Sequence, residues 1–265
     1  MDKMLYVAMS GAKQNMLSLA VTANNLANAK TTGFKADLAQ ARSMQAFGEG
    51  LPSRVFSMTE RASQNFDSGA ISTTGRELDI AIQGDGWIAI QTPAINTTNG
   101  AQVGVASLAG KITSEAYTRE GHLRVNEDGG LETTSGEPVI GESGPITLPL
   151  PVSNIHISKD GTIMVQPAGA PSNVQEEVAR IKLVNPDVRE LEKGADGFFR
   201  NKNGTPAEAD TSITVQSGAL EASNVNPVIE MGKMISIQRT FEMELKLMKT
   251  AEENDSSASA LLRSF

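Results

Sequence analysis

The sequence predicts an α+β fold in which N- and C-terminal heptad helices pair in a coiled-coil-like bundle around an inserted all-β middle domain. Three observations predict it. Apolar residues recur at alternating steps of three and four near both ends of the chain. The apolar pattern changes to a period of two between those ends. Much of the glycine falls at turn-like positions inside the period-two block.

At the first end, Leu5, Met9, Ala12, Met16, Leu19, Ala23 and Leu26 form the seam. Proline is absent until Pro52, and Gly11 is a single interior helix weakener. The spacing predicts a helix over about 4–28, stopped by Thr31-Thr32-Gly33. Tyr6, Val7, Leu17, Ala20 and Val21 widen the apolar band beyond what one partner helix covers.

At the other end, Met231, Met234, Gln238, Phe241, Leu245 and Met248 repeat the rhythm. Asn226 is placed as an N-cap and Pro227 as a first-turn residue. A helix from 227 to about 252 is expected, with the Ser256–Ser259 tail either extending it or forming a separate turn. Ile229, Ile235, Ile237, Met243 and Leu247 again broaden the apolar band.

Between the helices, three strand-turn-strand signals stand out. They are Leu78–Ile82 turning at Gly84-Asp85-Gly86 into Trp87–Ile90, His122–Val125 turning into Leu131, and Ile155–Ile157 turning at Lys159–Gly161 into Thr162–Val165. Val178–Val184 and Ile213–Val215 are further short strands. The resulting division is 1–32 for the N-terminal helix, 33–75 for an extended connector, 76–215 for the β-rich middle and 216–265 for the C-terminal helix. A forty-residue connector, to a first approximation structureless, fits poorly inside a compact globule and better against neighbouring chains.

Composition excludes several classes of function. The chain has 265 residues, enough for a substantial core or two modest domains. A net charge of −8 with 4% aromatic residues gives neither the basic surface nor the stacking platform of a nucleic-acid binder. With no cysteine and two histidines, thiol catalysis and thiolate or imidazole-rich metal sites are out, and no cofactor or metal is expected. No run reaches the roughly 20 apolar residues of a membrane span, and the first residues do not make a signal peptide. Asp79 with Asp85, or Glu120 with His122, makes no catalytic constellation, because no nucleophile motif accompanies them. Gly84-Asp85-Gly86 is too short for a phosphate loop and lacks the following lysine.

The two ends also carry a resemblance. Ala23-Asn24-Asn25-Leu26-Ala27-Asn28-Ala29-Lys30-Thr31-Thr32-Gly33-Phe34-Lys35 resembles the N-terminal signature of the bacterial flagellar rod and hook protein family. Leu220–Val228 and Ile237–Glu242 resemble its C-terminal signature. Gly75–Ile82, Gly84–Trp87 and Tyr117–Gly121 are similar to the domain that rod and hook subunits share. Tyr6–Ala12 and Trp87 resemble the proximal-rod branch, while His122 stands where much of the family has Phe.

The resemblance implies a structural subunit of the proximal rod, whose terminal helices form the inner layer of a hollow drive shaft that transmits torque and passes export substrates. It implies a place in the periplasm, export without a cleaved signal peptide through the flagellar export apparatus, and contacts with copies of itself and with rod subunits above and below. The alternatives are a distal-rod or other axial subunit and, further off, a soluble β-domain binding module with helical tails. The assembly residues are then Leu5, Met9, Met16, Leu19, Leu26, Met231, Met234, Phe241, Leu245 and Met248. Asn24, Asn25, Asn28, Gly33, Phe34, Asn224, Asn226 and Arg239 belong to the signatures as polar or turn positions. Asn24 and Asn28 sit one turn apart and are candidates for bonds across a subunit seam, and Arg239 for a neighbour's carboxylate. Trp87 is expected to be a packing plug in the middle domain.

Overall fold

The computed structural model describes residues 4–45, 55–60, 63–93, 95–98, 101–104, 113–169, 171 and 175–263. The chain divides into two compact units. A helix unit takes in Met1–Lys30, Lys35–Asp67 and Asn224–Phe265, and a β unit takes in Thr31–Phe34 and Ser68–Ser223.

In the helix unit, α1 spans Met4–Ala27 and α2 spans Pro227–Arg263. The Asn226 side chain accepts hydrogen bonds from the amides of Val228 (3.0 Å) and Ile229 (3.3 Å), capping α2 where the sequence places the cap. α2 does not stop near 252. Its serine tail stays helical, and Ser257 donates its hydroxyl to the Glu253 carbonyl at 2.9 Å, four residues back.

The helices pack antiparallel. Asn15 in the middle of α1 donates to Glu244 in the middle of α2 (2.9 Å), while Thr22 and Asn25 near the end of α1 line a groove with Glu230 and Lys233 near the start of α2. Gly11 lets Glu244 come close, since a Cβ there would lie 2.5 Å from its carboxylate oxygen.

The connector expected over 33–75 contains strands. Ala41–Gln45 pairs antiparallel with Val55–Thr59 to make a ribbon against α1, and Asp37–Leu38 pairs with Ser63–Gln64.

The β unit has one apolar core, in which Ile80, Ile88, Ile90, Leu123, Leu131, Val139, Ile163 and Val165 are fully or almost fully buried. A five-stranded sheet runs in the order Leu183–Val184, Trp87–Pro93, Thr113–Thr118, Phe199–Asn201, Leu191–Lys193. A three-stranded sheet runs Val152–Ile157, Thr162–Pro167, Glu176–Arg180. Two of the three expected hairpins form, Leu123–Val125 with Leu131–Thr133 and Val152–Ile157 with Thr162–Pro167.

The third does not. Ile80–Gln83 pairs with Thr214–Ser217, and Trp87–Pro93 pairs with Thr113–Thr118 and Leu183–Val184. The turn at Gly84 (φ 82°) and Gly86 (φ 146°) is present, but the strands leaving it join different sheets. A turn signal fixes where the chain bends, and remote partners decide what each strand pairs with.

Candidate assembly surface

The helix unit leaves many of its large apolar side chains uncovered. On α1 the buried side chains are mostly polar or small: Ala12, Gln14, Thr22 and Asn25. The exposed ones include Leu5 (44%), Tyr6 (65%), Met9 (54%), Met16 (61%) and Leu17. On α2, Glu230 is buried while Val228, Ile229, Met231, Ile235, Met243, Leu245 and Leu247 are exposed.

The ribbon repeats the pattern. Its register puts Arg42, Met44, Phe56 and Met58 on one face and Ala41, Ser43, Gln45, Val55, Ser57 and Thr59 on the other. The second face meets α1: the Thr59 hydroxyl donates to Gln14 Oε1 at 2.8 Å, and the Ser57 amide donates to the Ser10 hydroxyl at 3.2 Å. Met44 and Met58 therefore sit on the face turned away from the helix, and both are exposed. Each large apolar side chain left in water forgoes roughly 1.5–3 kcal/mol of burial. A continuous set of them marks an association surface.

The predicted seam residues separate into two groups. Leu5, Met9, Met16, Met231 and Leu245 are exposed, whereas Leu19, Leu26, Met234, Phe241 and Met248 are half-buried. The single chain thus covers part of the seam and leaves the rest open.

The asparagines take specific places. Asn25 is the buried member of its cluster, and its amide mimics a strand, donating to the Asp37 carbonyl (2.8 Å) and accepting from the Asp37 amide (2.9 Å). Asn28 donates to the backbone carbonyl of Asn24 at 2.9 Å, finishing the helix, and the Asn24 side chain is exposed. Asn224 accepts from the Ala36 amide (2.8 Å) and donates to the carbonyls of Asn65 (2.9 Å) and Asp67 (3.0 Å). Lys35, 1% exposed, donates to the same Asp67 carbonyl at 2.8 Å. These bonds satisfy backbone groups that the two-residue strands leave free. Arg239 is exposed.

The β unit holds a buried ion pair that the sequence reading did not single out. Arg119 Nη1 and Glu221 Oε2 are 3.0 Å apart, with side chains 3% and 2% exposed. Glu221 also accepts the Gly69 amide on Oε1 and the Gly33 amide on its backbone carbonyl, both at 2.8 Å. The Arg119 guanidinium lies 5.3 Å from the centre of the Trp87 ring, and Trp87 stacks at a tilt on Phe199, 4.7 Å away. Trp87 is 3% exposed, and its ring is the face on which a buried cation rests.

Gly33 has φ 68°, and a Cβ there would lie 2.3 Å from the Arg119 carbonyl, so the position admits no side chain. Phe34 supports the Lys193 ammonium 4.3 Å above its ring. Arg119 stands within the Tyr117–Gly121 motif, beside apolar alternation, and a charge so placed is the signal that marks it.

His122 bridges two charges. Arg76 Nη1 lies 2.8 Å from its Nε2 and Asp79 Oδ1 lies 3.0 Å from its Nδ1. Arginine only donates, so the nitrogen of His122 that meets Arg76 is an acceptor. The Tyr117 hydroxyl accepts the Ala207 amide at 2.7 Å, and burial pushes its pKa up to about 12. Among the described residues no cluster of His, Asp or Glu is arranged to hold a metal, and no helix is long and apolar enough to cross a membrane.

Three family descriptions match the chain in order. Residues 5–35 match "Flagella basal body rod protein", 106–165 match "Flagellar hook protein FlgE/F/G D1 domain", and 216–261 match "Flagellar basal body rod FlgEFG protein C-terminal". The chain is 40% identical to flagellar basal-body rod protein FlgF of Escherichia coli (strain K12), covering 99% of both chains. It is 34% identical to the protein of that name from Caulobacter vibrioides, covering 97% of both. It is 28% identical to flagellar basal-body rod protein FlgG of Buchnera aphidicola subsp. Acyrthosiphon pisum, over 94% of this chain and 95% of the relative. The matched segments contain both helices, the Asn25 and Asn224 staples and both partners of the Arg119–Glu221 pair, and on the full-length identity this chain belongs to the flagellar basal-body rod protein family.

Proposed function

We propose that this protein is a structural subunit of the proximal rod of the flagellar basal body, built into a hollow drive shaft by burying its terminal helices against neighbours. The observation that carries this reading is the apolar surface that the helix unit leaves uncovered, with Leu5, Met9, Met16, Ile235, Met243 and Leu247 exposed. A lone subunit leaves that surface wet, and a tube of packed helices buries it. The relatives' names place them in the basal-body rod. On this reading the neighbours are copies of this chain and other rod subunits above and below, and the location is the rod within the periplasm. Delivery is through the flagellar export apparatus without a cleaved signal peptide. The outward face of the ribbon, Met44, Phe56 and Met58, packs on a neighbour as well.

The role is mechanical rather than catalytic. Half-buried Met234, Phe241 and Met248 pair within the chain, and the exposed seam members pair between chains. Flexible, unbranched thioethers suit an interface whose neighbours differ from place to place along a short rod.

The chain has no cysteine, so a single introduced one is a unique handle. Met16→Cys and Met243→Cys variants are expected to react with maleimide in the free subunit and to be at least about tenfold slower in isolated basal bodies. Equal reactivity in both states overturns the proposal that these helix faces are buried.

A further inference from the structure

The methionines are unevenly placed. All but Met164 belong to the helix unit. Met9, Met16, Met44, Met58, Met231 and Met243 are between 39% and 61% exposed. Met164 is half-buried in the strand Thr162–Pro167. The chain has no cysteine, and its one tryptophan, Trp87, is 3% exposed. The exposed thioethers are therefore its most accessible oxidisable groups, and they lie on the surface that assembly would bury.

We propose that Met9, Met16, Met231 and Met243 are an oxidation-controlled modification site that decides whether a free subunit can be incorporated. The proposal rests on the reading that these faces are buried in the rod. The oxidant is hydrogen peroxide. A sulfur lone pair attacks one peroxide oxygen, the S–O bond forms as the O–O bond breaks, the proton on the transferred oxygen passes to the departing hydroxide, and water leaves. Sulfur loses two electrons and the oxidant gains them. The sulfoxide is strongly polar and accepts hydrogen bonds, so a helix face that carries it resists burial against apolar neighbours. A dithiol reductant of the methionine sulfoxide reductase class returns two electrons, releases the oxygen as water and restores the face. Once the subunit is assembled, the same sulfurs are out of reach, so the control acts before incorporation and not after.

Hydrogen peroxide applied to the full-length free protein, followed by peptide mass spectrometry, is expected to oxidise these four methionines about tenfold faster than Met164 and to spare them in isolated basal bodies. Equal rates free and assembled overturn both the proposal and the burial it rests on. In cells, replacing all four by Leu conserves volume and is expected to preserve swimming, while replacing all four by Gln is expected to reduce newly built rods about tenfold or more. After a peroxide pulse, new rods are expected to fall in the unaltered strain and to persist in the Leu variant. A Leu variant as sensitive as the unaltered strain overturns the oxidation control and leaves the assembly reading standing. Normal swimming by the Gln variant overturns the assembly reading itself.

Discussion

Ile90 in the β unit has no exposed surface, whereas Met16 in the helix unit keeps 61% of its own in contact with water. The first unit follows the ordinary rule of globular proteins, with apolar residues in and polar residues out. The second leaves large apolar side chains exposed on α1, on α2 and on the ribbon. One chain thus holds a part that buries its own apolar residues and a part that leaves many of them uncovered. Stability in the β unit comes from its own core. In the helix unit, Leu19, Leu26, Met234, Phe241 and Met248 are only half-buried, and polar bonds, Asn25 to Asp37 and Asn15 to Glu244, help set the geometry.

The sharpest way to break that comparison is at the buried ion pair. Arg119→Met takes the guanidinium away from buried Glu221, and is expected to cost about 3–5 kcal/mol. Denaturant melts of the full chain check it, and Arg119→Met with Glu221→Leu together should recover most of the loss. Next in size, Leu131→Ala in the core should cost about 2–5 kcal/mol, whereas Met16→Ala in the free chain should stay within about 0.5 kcal/mol. Comparable losses for the two would mean that the helix face is already packed in the free subunit.

Asn25→Ala removes both partners of the Asp37 backbone and should cost about 1–3 kcal/mol. Hydrogen exchange should show the loss at the Asp37 amide and leave the β unit unchanged. The smallest effect is with pH. Tyr117 ionises near its ordinary pKa when unfolded but only at about 12 when folded. The stability that its buried, neutral form contributes is intact below pH ~10 and is lost as the pH rises through ~12. The unfolding midpoint should therefore fall across that window, and a Tyr117→Phe variant should fall less.

Both helices were legible in the sequence, because a period near 3.5 held over several turns has no other reading. The end of α2 was not, because serines are ambiguous until their hydroxyls find a carbonyl four residues back, as Ser257 does with Glu253. The β-rich middle was legible as a class, and two of its hairpins as pairs. The pairing of Ile80–Gln83 with Thr214–Ser217 was not, since no local signal names a partner more than a hundred residues away. The seam was legible as apolar positions, but not its division into covered and open halves, which depends on how α1 and α2 turn toward each other. Among the polar groups, Asn226 was legible because capping is local. Lys35, Arg119 and Glu221 were missed, because a charge reads as surface until its partner is known. The Asn cluster was noticed, but only the fold distinguishes buried Asn25 from exposed Asn24.

Glu221 is joined to Arg119 and to Gly69 across sequence separations of 102 and 152 residues. Loop closure over such spans is slow and comes late in folding. Until the stretch around residue 221 arrives, Arg119 is a cation without a counter-ion in a forming core. The β unit is thereby kept from finishing early. Most of the chain thus lies before the last partner that this core needs.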